Sequence, residues 1–280
     1  MKVYISADIE GVTGLVSWSQ CGRPNSDHYD YQWARARLTE DVNAAIRGAR
    51  AGGAEHVVVK DSHGNSKNLL IDQLEPGIEL VSGHGARQGG MMVGIDRTFA
   101  CAMLIGYHAM AGTPNAIMEH TLTGYVHRMW INGMPSGEIG LSTALAGCFD
   151  VPVVCISSDR AGCEEAAALI PGIATAVVKE GFGRFMGRVL HPAETGPMIE
   201  EAARHGVEEC GRFDPWLPDV PTTVRIEFNR TEETDAALKL IGTRRLDGYT
   251  VEYTGDSWAE VHQAAWQIIS FADLGHGMDR

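Results

Sequence analysis

No C-x-x-C pair occurs in this chain, although it holds six cysteines, Cys21, Cys101, Cys148, Cys155, Cys163 and Cys210. Scattered thiols, several in apolar stretches, predict reduced and mostly buried side chains in a reducing compartment rather than a disulfide framework. Long apolar runs are missing too, and none approaches the ~20 residues a membrane helix needs. Residues 1–11 lack a charged stretch followed by an apolar run, so no signal peptide is expected and the chain reads as cytoplasmic. Positive charge is in deficit: 23 Lys and Arg stand against 36 Asp and Glu, a net −13. That balance argues against a sequence-wide attraction to nucleic acid or to an anionic membrane. No internal repeat or low-complexity segment is visible. G-x-S-x-G is absent, and neither Ser62 nor Cys101 sits in a motif marking a nucleophile.

What is present is an ordinary globular composition, 44% hydrophobic and 21% charged over 280 residues. It fits one large domain or two tightly packed ones. Glycine is abundant at 33 residues while proline is ordinary at 11, which predicts many tight turns between strands and helices. Strands are expected at Lys2–Ala7, His56–Lys60, Ile78–Ser82, Phe99–Gly106, Tyr125–Ile131, Val151–Ser157 and Ala174–Lys179. Helices are expected at Tyr31–Ala51, Gly137–Phe149 and Arg160–Leu169, with a short one at Leu69–Leu74. Asn132-Gly133 is a strong hairpin signal. This alternation argues an α/β fold with a largely parallel sheet. The last third differs: a polar helix at His191–Cys210, a break at Pro218–Pro221, a strand at Thr223–Phe228, a helix at Thr231–Ile241, a strand at Tyr249–Tyr253 and an amphipathic helix at Ser257–Ala272. Residues 1–190 therefore read as an α/β catalytic domain and 191–280 as a smaller α+β subdomain packed tightly on it.

Chemistry-bearing side chains recur where apolar strands end. The first strand runs into Asp8-Ile9-Glu10-Gly11, and period-two alternation puts both carboxylates on one side. Carboxylates held that close repel unless cations separate them or one is protonated; solvated turn carboxylates are the other reading. The second strand runs into Asp61-Ser62-His63-Gly64, which reads equally as a turn with an incidental histidine. A further strand ends at Tyr107-His108. A loop from Gly112 to Glu119 then leads to His120, and Glu138 opens a helix, where a carboxylate is favoured electrostatically in any case. Together Asp8, Glu10, His63, His108 and Glu138 offer mixed oxygen and nitrogen donors that suit zinc or another divalent transition ion. Two dications, three carboxylates and one hydroxide would make a neutral centre.

The segments MKVYISADIEGVTG, VKDSHG, LIGYHAMAGTPNAIMEHT and INGMPSGEIGL resemble, in order and spacing from Met1 to about Lys179, the DppA-type zinc D-aminopeptidase family. The resemblance implies an α/β three-layer sandwich and a dinuclear zinc centre. Asp8 would bridge both ions, His63 and Glu138 would complete one shell, and Glu10 and His108 the other. His120 would be the catalytic histidine outside the metal shell. The resemblance also implies a self-compartmentalising homo-oligomeric ring, a decamer, with sites facing inward. The function so implied is removal of the N-terminal residue from short peptides, including D-alanyl peptides, by a metal-bridged hydroxide. No motif in the sequence itself encodes D- or L-selectivity. The alternatives are a dinuclear hydrolase of another small amide and a non-catalytic, metal-stabilised assembly protein.

Other near-motifs carry less. Gly181–Gly187 has one residue too many for G-x-G-x-x-G and no acidic ribose partner. Arg184 and Arg188 read as contacts to an anionic group or a neighbouring subunit. His84, in a glycine-rich loop, is a minor candidate for the pocket wall. His28, His56, His127, His191, His205, His262 and His276 read as surface or packing residues, and Trp130, Trp216, Trp258 and Trp266 as core or interface.

Overall fold

A computed structural model describes residues 1–21, 30–85 and 89–277; His28 lies outside them. Along the chain run β1 (Lys2–Ala7), α1 (Tyr31–Ala51), β2 (His56–Asp61), β3 (Glu79–Val81), β4 (Cys101–Ile105), β5 (Val126–Ile131), β6 (Met134–Pro135), α2 (Glu138–Gly147), β7 (Val153–Asp159) and α3 (Arg160–Leu169). There follow β8 (Ala174–Gly183), β9 (Met186–Val189), α4 (Pro192–Glu208), β10 (Thr222–Phe228), α5 (Thr231–Ala237), β11 (Arg244–Arg245), β12 (Thr250–Gly255) and α6 (Trp258–His276). Seven strands form one sheet in the order β3-β2-β1-β4-β7-β8-β9, parallel except for β9. The fold is thus α/β with a largely parallel sheet.

Alternation along β1 explains how the sheet is covered. Val3, Ile5 and Ala7 join one core with α1 and α4, whereas Tyr4 joins a second core with α2, α3 and α6. That second core also holds an antiparallel sheet, β11-β12-β10-β5-β6. Its hairpin, β5–β6, comes from the middle of the chain, while α4, from the last third, packs on α1 and β8. The chain therefore crosses between the two sheets more than once, and residues 191–280 are not a separate layer.

Three segments differ from expectation. The helix expected over Thr231–Ile241 stops at Ala237; Ile241 is 93% exposed, so a further turn would have nothing to pack on. The strand expected to end at Lys179 continues to Gly183 and turns back, pairing Lys179 with Val189 and Gly183 with Met186. The glycines of that run therefore lie in a hairpin. Leu69–Leu74 holds only one tight helical turn, Ile71–Gln73. All six cysteines are free, with Cys148 and Cys210 half-buried and the rest buried. Among the described residues no helix is long and apolar enough to cross a membrane.

The strand order reverses direction between β1 and β4: β2 and β3 build outward on one side, β4, β7 and β8 on the other. Crevices in open parallel sheets form beyond the carboxyl ends of strands at such a point. Gly11 and Gly106 let the two exits cross there. The Gly11 amide donates to the Gly106 carbonyl at 2.8 Å. Gly106 has φ +71, and a Cβ on it would lie 2.2 Å from the Asp8 carbonyl oxygen, so no side chain fits.

Candidate metal centre

Asp8 and Glu10 follow β1, His63 follows β2, and His108 follows β4. Glu138 is the first residue of α2, and His120 lies in the irregular segment between β4 and β5. The fold brings all six together. Asp8 offers one oxygen to each side: Oδ1 is 3.3 Å from His63 Nδ1 and Oδ2 is 3.4 Å from His108 Nε2. Glu10 Oε2 lies 3.0 Å from His63 Nδ1, and Glu138 Oε1 lies 3.2 Å from His108 Nε2. His120 Nε2 is 3.7 Å from Glu138 Oε1 and 4.0 Å from Glu10 Oε1. Its ring stacks on His108 at 4.0 Å between centroids.

Each of the three imidazoles gives one nitrogen to a backbone carbonyl. His63 Nε2 lies 2.8 Å from the Cys21 oxygen, His108 Nδ1 3.0 Å from that of Ala109, and His120 Nδ1 3.0 Å from that of Met118. A carbonyl only accepts, so that nitrogen carries the proton and the other nitrogen faces the carboxylates. Anchoring the outer N–H in this way is how proteins orient metal-binding histidines. The backbone is strained beside His120. Met118 has φ 54 and Leu122 φ 62, conformations that L side chains rarely adopt. The Leu122 amide donates to Glu138 Oε1 at 2.7 Å, tying that turn to the cluster.

Burial sets the electrostatics. Asp8, Glu10 and His108 are 1–2% exposed. Burial, reinforced by the charge on Glu10, pushes the Asp8 carboxyl up to about 7. Burial also pushes Glu10 up, but the His63 and His120 imidazoles outweigh it and hold Glu10 well below the carboxylate range. His63 and His108 are driven down by burial and up by facing carboxylates, and the carboxylates win. His120 goes the other way, to about 4, through burial and the charge of His108. In the chain alone, then, protons on His63 and His108 balance the acidic side chains, while His120 stays neutral.

The donor set fits a metal. Asp8 Oδ2, Glu10 Oε2 and His108 Nε2 are buried and make no hydrogen bond, and orphaned buried polar atoms are costly. These three residues offer ligand atoms all within 4.8 Å of one another, as do His108, His120 and Glu138. The first trio holds both residues that the resemblance assigns to one shell. The second contains Glu138 without His63, which leans on Asp8 and Glu10 instead.

The family model for D-aminopeptidase matches residues 1–266. The chain belongs to the D-aminopeptidase family. A D-aminopeptidase of Bacillus subtilis (strain 168) is 34% identical over 275 residues, covering 97% of this chain and 98% of that relative. The solved structure of the zinc-dependent D-aminopeptidase DppA from Bacillus subtilis, described as a self-compartmentalizing protease, matches with a TM-score of 0.92. It is 33% identical, and 98% of each chain is covered.

Around this family site lie residues that sequence reasoning did not single out. Lys179 is buried and donates Nζ to the carbonyls of Glu10, Val12 and Leu15, the last two at 3.0 and 2.7 Å. It thereby fixes the loop that carries Glu10. Asp61 accepts the Asn68 amide, the Asn68 side chain and the Leu69 amide at 2.6, 2.7 and 2.8 Å, and Asn68 Nδ2 donates to the His63 carbonyl at 2.8 Å. Trp18 meets His120 edge to face at 5.0 Å. The sequence signal for the first network was a lysine at the polar end of an apolar strand, in HVVVK and again in AVVK. Trp18 had no signal of its own.

The remaining histidines are accounted for elsewhere. His84 is exposed and takes no part in the cluster among the described residues. His262 is buried and accepts from Trp266 Nε1 at 3.2 Å. His191 caps α4, accepting from the Ala193 amide at 3.1 Å. Trp258 is buried, while Trp130, Trp216 and Trp266 are half-buried.

Proposed function

We propose that this chain is a zinc aminopeptidase that releases the N-terminal residue of short peptides, D-alanyl peptides among them, with two zinc ions per subunit. Asp8 would bridge the ions. His63 and Glu138 complete one shell, Glu10 and His108 the other. The observation that carries this reading is the convergence of six side chains from five segments on a buried pocket where three ligand atoms make no hydrogen bond. Zinc supplies Lewis acidity there, acidifying water and polarising a carbonyl oxygen. The side chains do the rest. His120, with Nε2 turned toward Glu10 and Glu138, takes a proton from the attacking water at that atom and returns it to the departing amine. A purely structural metal site has no use for this spare imidazole, which favours an enzyme over an assembly protein.

The solved relative's description as self-compartmentalizing supports a homo-oligomeric assembly for this chain as well, and we propose that it is a decameric ring. The test of function joins zinc stoichiometry to release of free alanine from D-Ala and L-Ala dipeptides, with and without chelator. Two zinc ions per chain and chelator-sensitive release from the D series support the proposal. Two bound ions with no release from either series would overturn it.

A further inference from the structure

The hairpin β8–β9 reaches the segment that carries His120. The Arg184 carbonyl at its tip accepts the Met118 amide at 2.7 Å. The Arg184 side chain donates Nη2 to the Glu119 carbonyl at 3.0 Å, and its Nε lies 3.2 Å from Glu119 Oε1. Its guanidinium sits 6.0 Å from the Trp18 ring and 5.7 Å from the Phe185 ring, and Trp18 in turn meets His120 at 5.0 Å. Those contacts use a minority of the five donors a guanidinium carries, and the side chain remains 44% exposed. Lys60 and Lys179, the other cations that brace the site's loops, are buried. Lys60 donates to Ser66 Oγ and the Asp61 carbonyl, and Lys179 to three carbonyls. Among these three cations Arg184 alone meets solvent.

A short peptide brings its own α-carboxylate close to the scissile bond. With zinc bound the centre itself is neutral, but on a chain of net charge −13 that carboxylate finds no electrostatic attraction unless a cation receives it. The contacts from His120 to Trp18 and from Trp18 to the guanidinium place the guanidinium no more than about 11 Å from the His120 ring, a span that three extended residues at ~3.3–3.6 Å each cover. We infer that Arg184 is a specificity-determining residue that receives the free α-carboxylate of a di- or tripeptide. This rests on the aminopeptidase reading and adds the substrate class: peptides short enough to span from the zinc site to the hairpin tip.

The experiment compares D-Ala-D-Ala with its C-terminal amide, using the zinc-loaded full chain, R184Q and R184K. The free acid should be favoured by about tenfold or more in kcat/KM, the scale of one charge-assisted hydrogen bond, mainly through KM. R184Q should bring the acid-to-amide ratio to near one, and R184K should restore part of it. If Arg184 serves only to clamp residues 118–119, R184Q lowers both substrates alike and the ratio persists, which overturns the inference. A wild-type protein that does not distinguish acid from amide overturns it too, while leaving the aminopeptidase reading intact. Absence of release from any peptide strikes that reading instead. The anchor is then read without turnover, by titrating Trp18 fluorescence with the dipeptide acid and amide. Equal affinities for the two would overturn it.

Discussion

Two carboxylate–imidazole groups among the described residues, one around Asp8 and one at Glu233 and His276, are built differently. Glu233, in the first turn of α5, is fully buried. Its Oε2 accepts the Arg230 amide at 3.0 Å, and its Oε1 pairs with His276 Nδ1 at 2.7 Å. Both oxygens are satisfied, and the pair is closed. Asp8, Glu10 and His108 are as deeply buried, yet each leaves an atom without a hydrogen bond. Those atoms meet only the charged groups of the cluster itself, in ion-pair contacts of 3.0–3.4 Å. The closed pair fastens the end of α6 to α5. The open cluster spends stability to hold donors ready for cations, and the satisfied networks of Asp61 and Lys179 around it keep that arrangement from collapsing.

The largest effect should come from removing the residue that faces both sides of the open cluster. Asp8→Ala should lose both zinc ions together and lower kcat/KM by ~10³-fold or more, the scale of several kcal/mol of lost transition-state stabilisation. Elemental analysis of the purified variant reads this directly, and two retained ions would remove Asp8 from the bridging position. Next is His120→Ala, which should keep both ions and lose ~10²–10⁴ in kcat; loss of an ion would make His120 a ligand. Breaking the closed pair should do the reverse. Glu233→Ala should cost ~1–3 kcal/mol in chemical denaturation by leaving the Arg230 amide and His276 without their acceptor. Zinc stoichiometry should stay unchanged. Metal loss in that variant would erase the distinction between the two groups.

Much of the open cluster was legible because its parts sit at strand exits. Asp8, Glu10, His63 and His108 each follow an apolar run, and a parallel sheet gathers the ends of such runs on one edge. Their convergence needed no knowledge of side-chain contacts. The supporting parts were not legible, for a physical reason. Lys179 meets the Val12 carbonyl 167 residues away, and His63 is oriented by the carbonyl of Cys21, a group every residue carries. Backbone acceptors leave no mark on composition or spacing. The hairpin that carries Arg184 was not anticipated, because glycines permit a turn and a loop alike; only the pairing of β8 with β9 decides between them. The closed pair was equally hidden, since Glu233 and His276 lie 43 positions apart.

The smallest expected effect is also the most direct probe of what fills the open cluster in the chain alone. Facing carboxylates raise His63 and His108 above the ordinary histidine range, so both hold protons at pH 7. The nitrogens that turn toward the carboxylates are also those a metal would take. Zinc must therefore displace those protons, because a metal ligand is bound in its deprotonated form. Calorimetric titration of the metal-free protein at pH 7, repeated in buffers of different ionisation enthalpy, should show release of ~2–3 protons per chain on loading both sites, two from the imidazoles and about half of one from Asp8, whose carboxyl is raised to about 7. Apparent zinc affinity should rise with pH, since deprotonation of imidazoles with raised pKa removes the competitor. His120, held at about 4, adds no proton to this count, so His120→Ala should release as many as the wild type. Buffer-independent heats would mean that the two imidazoles are already neutral, and that the acidic side chains are balanced by something other than the protons that zinc replaces.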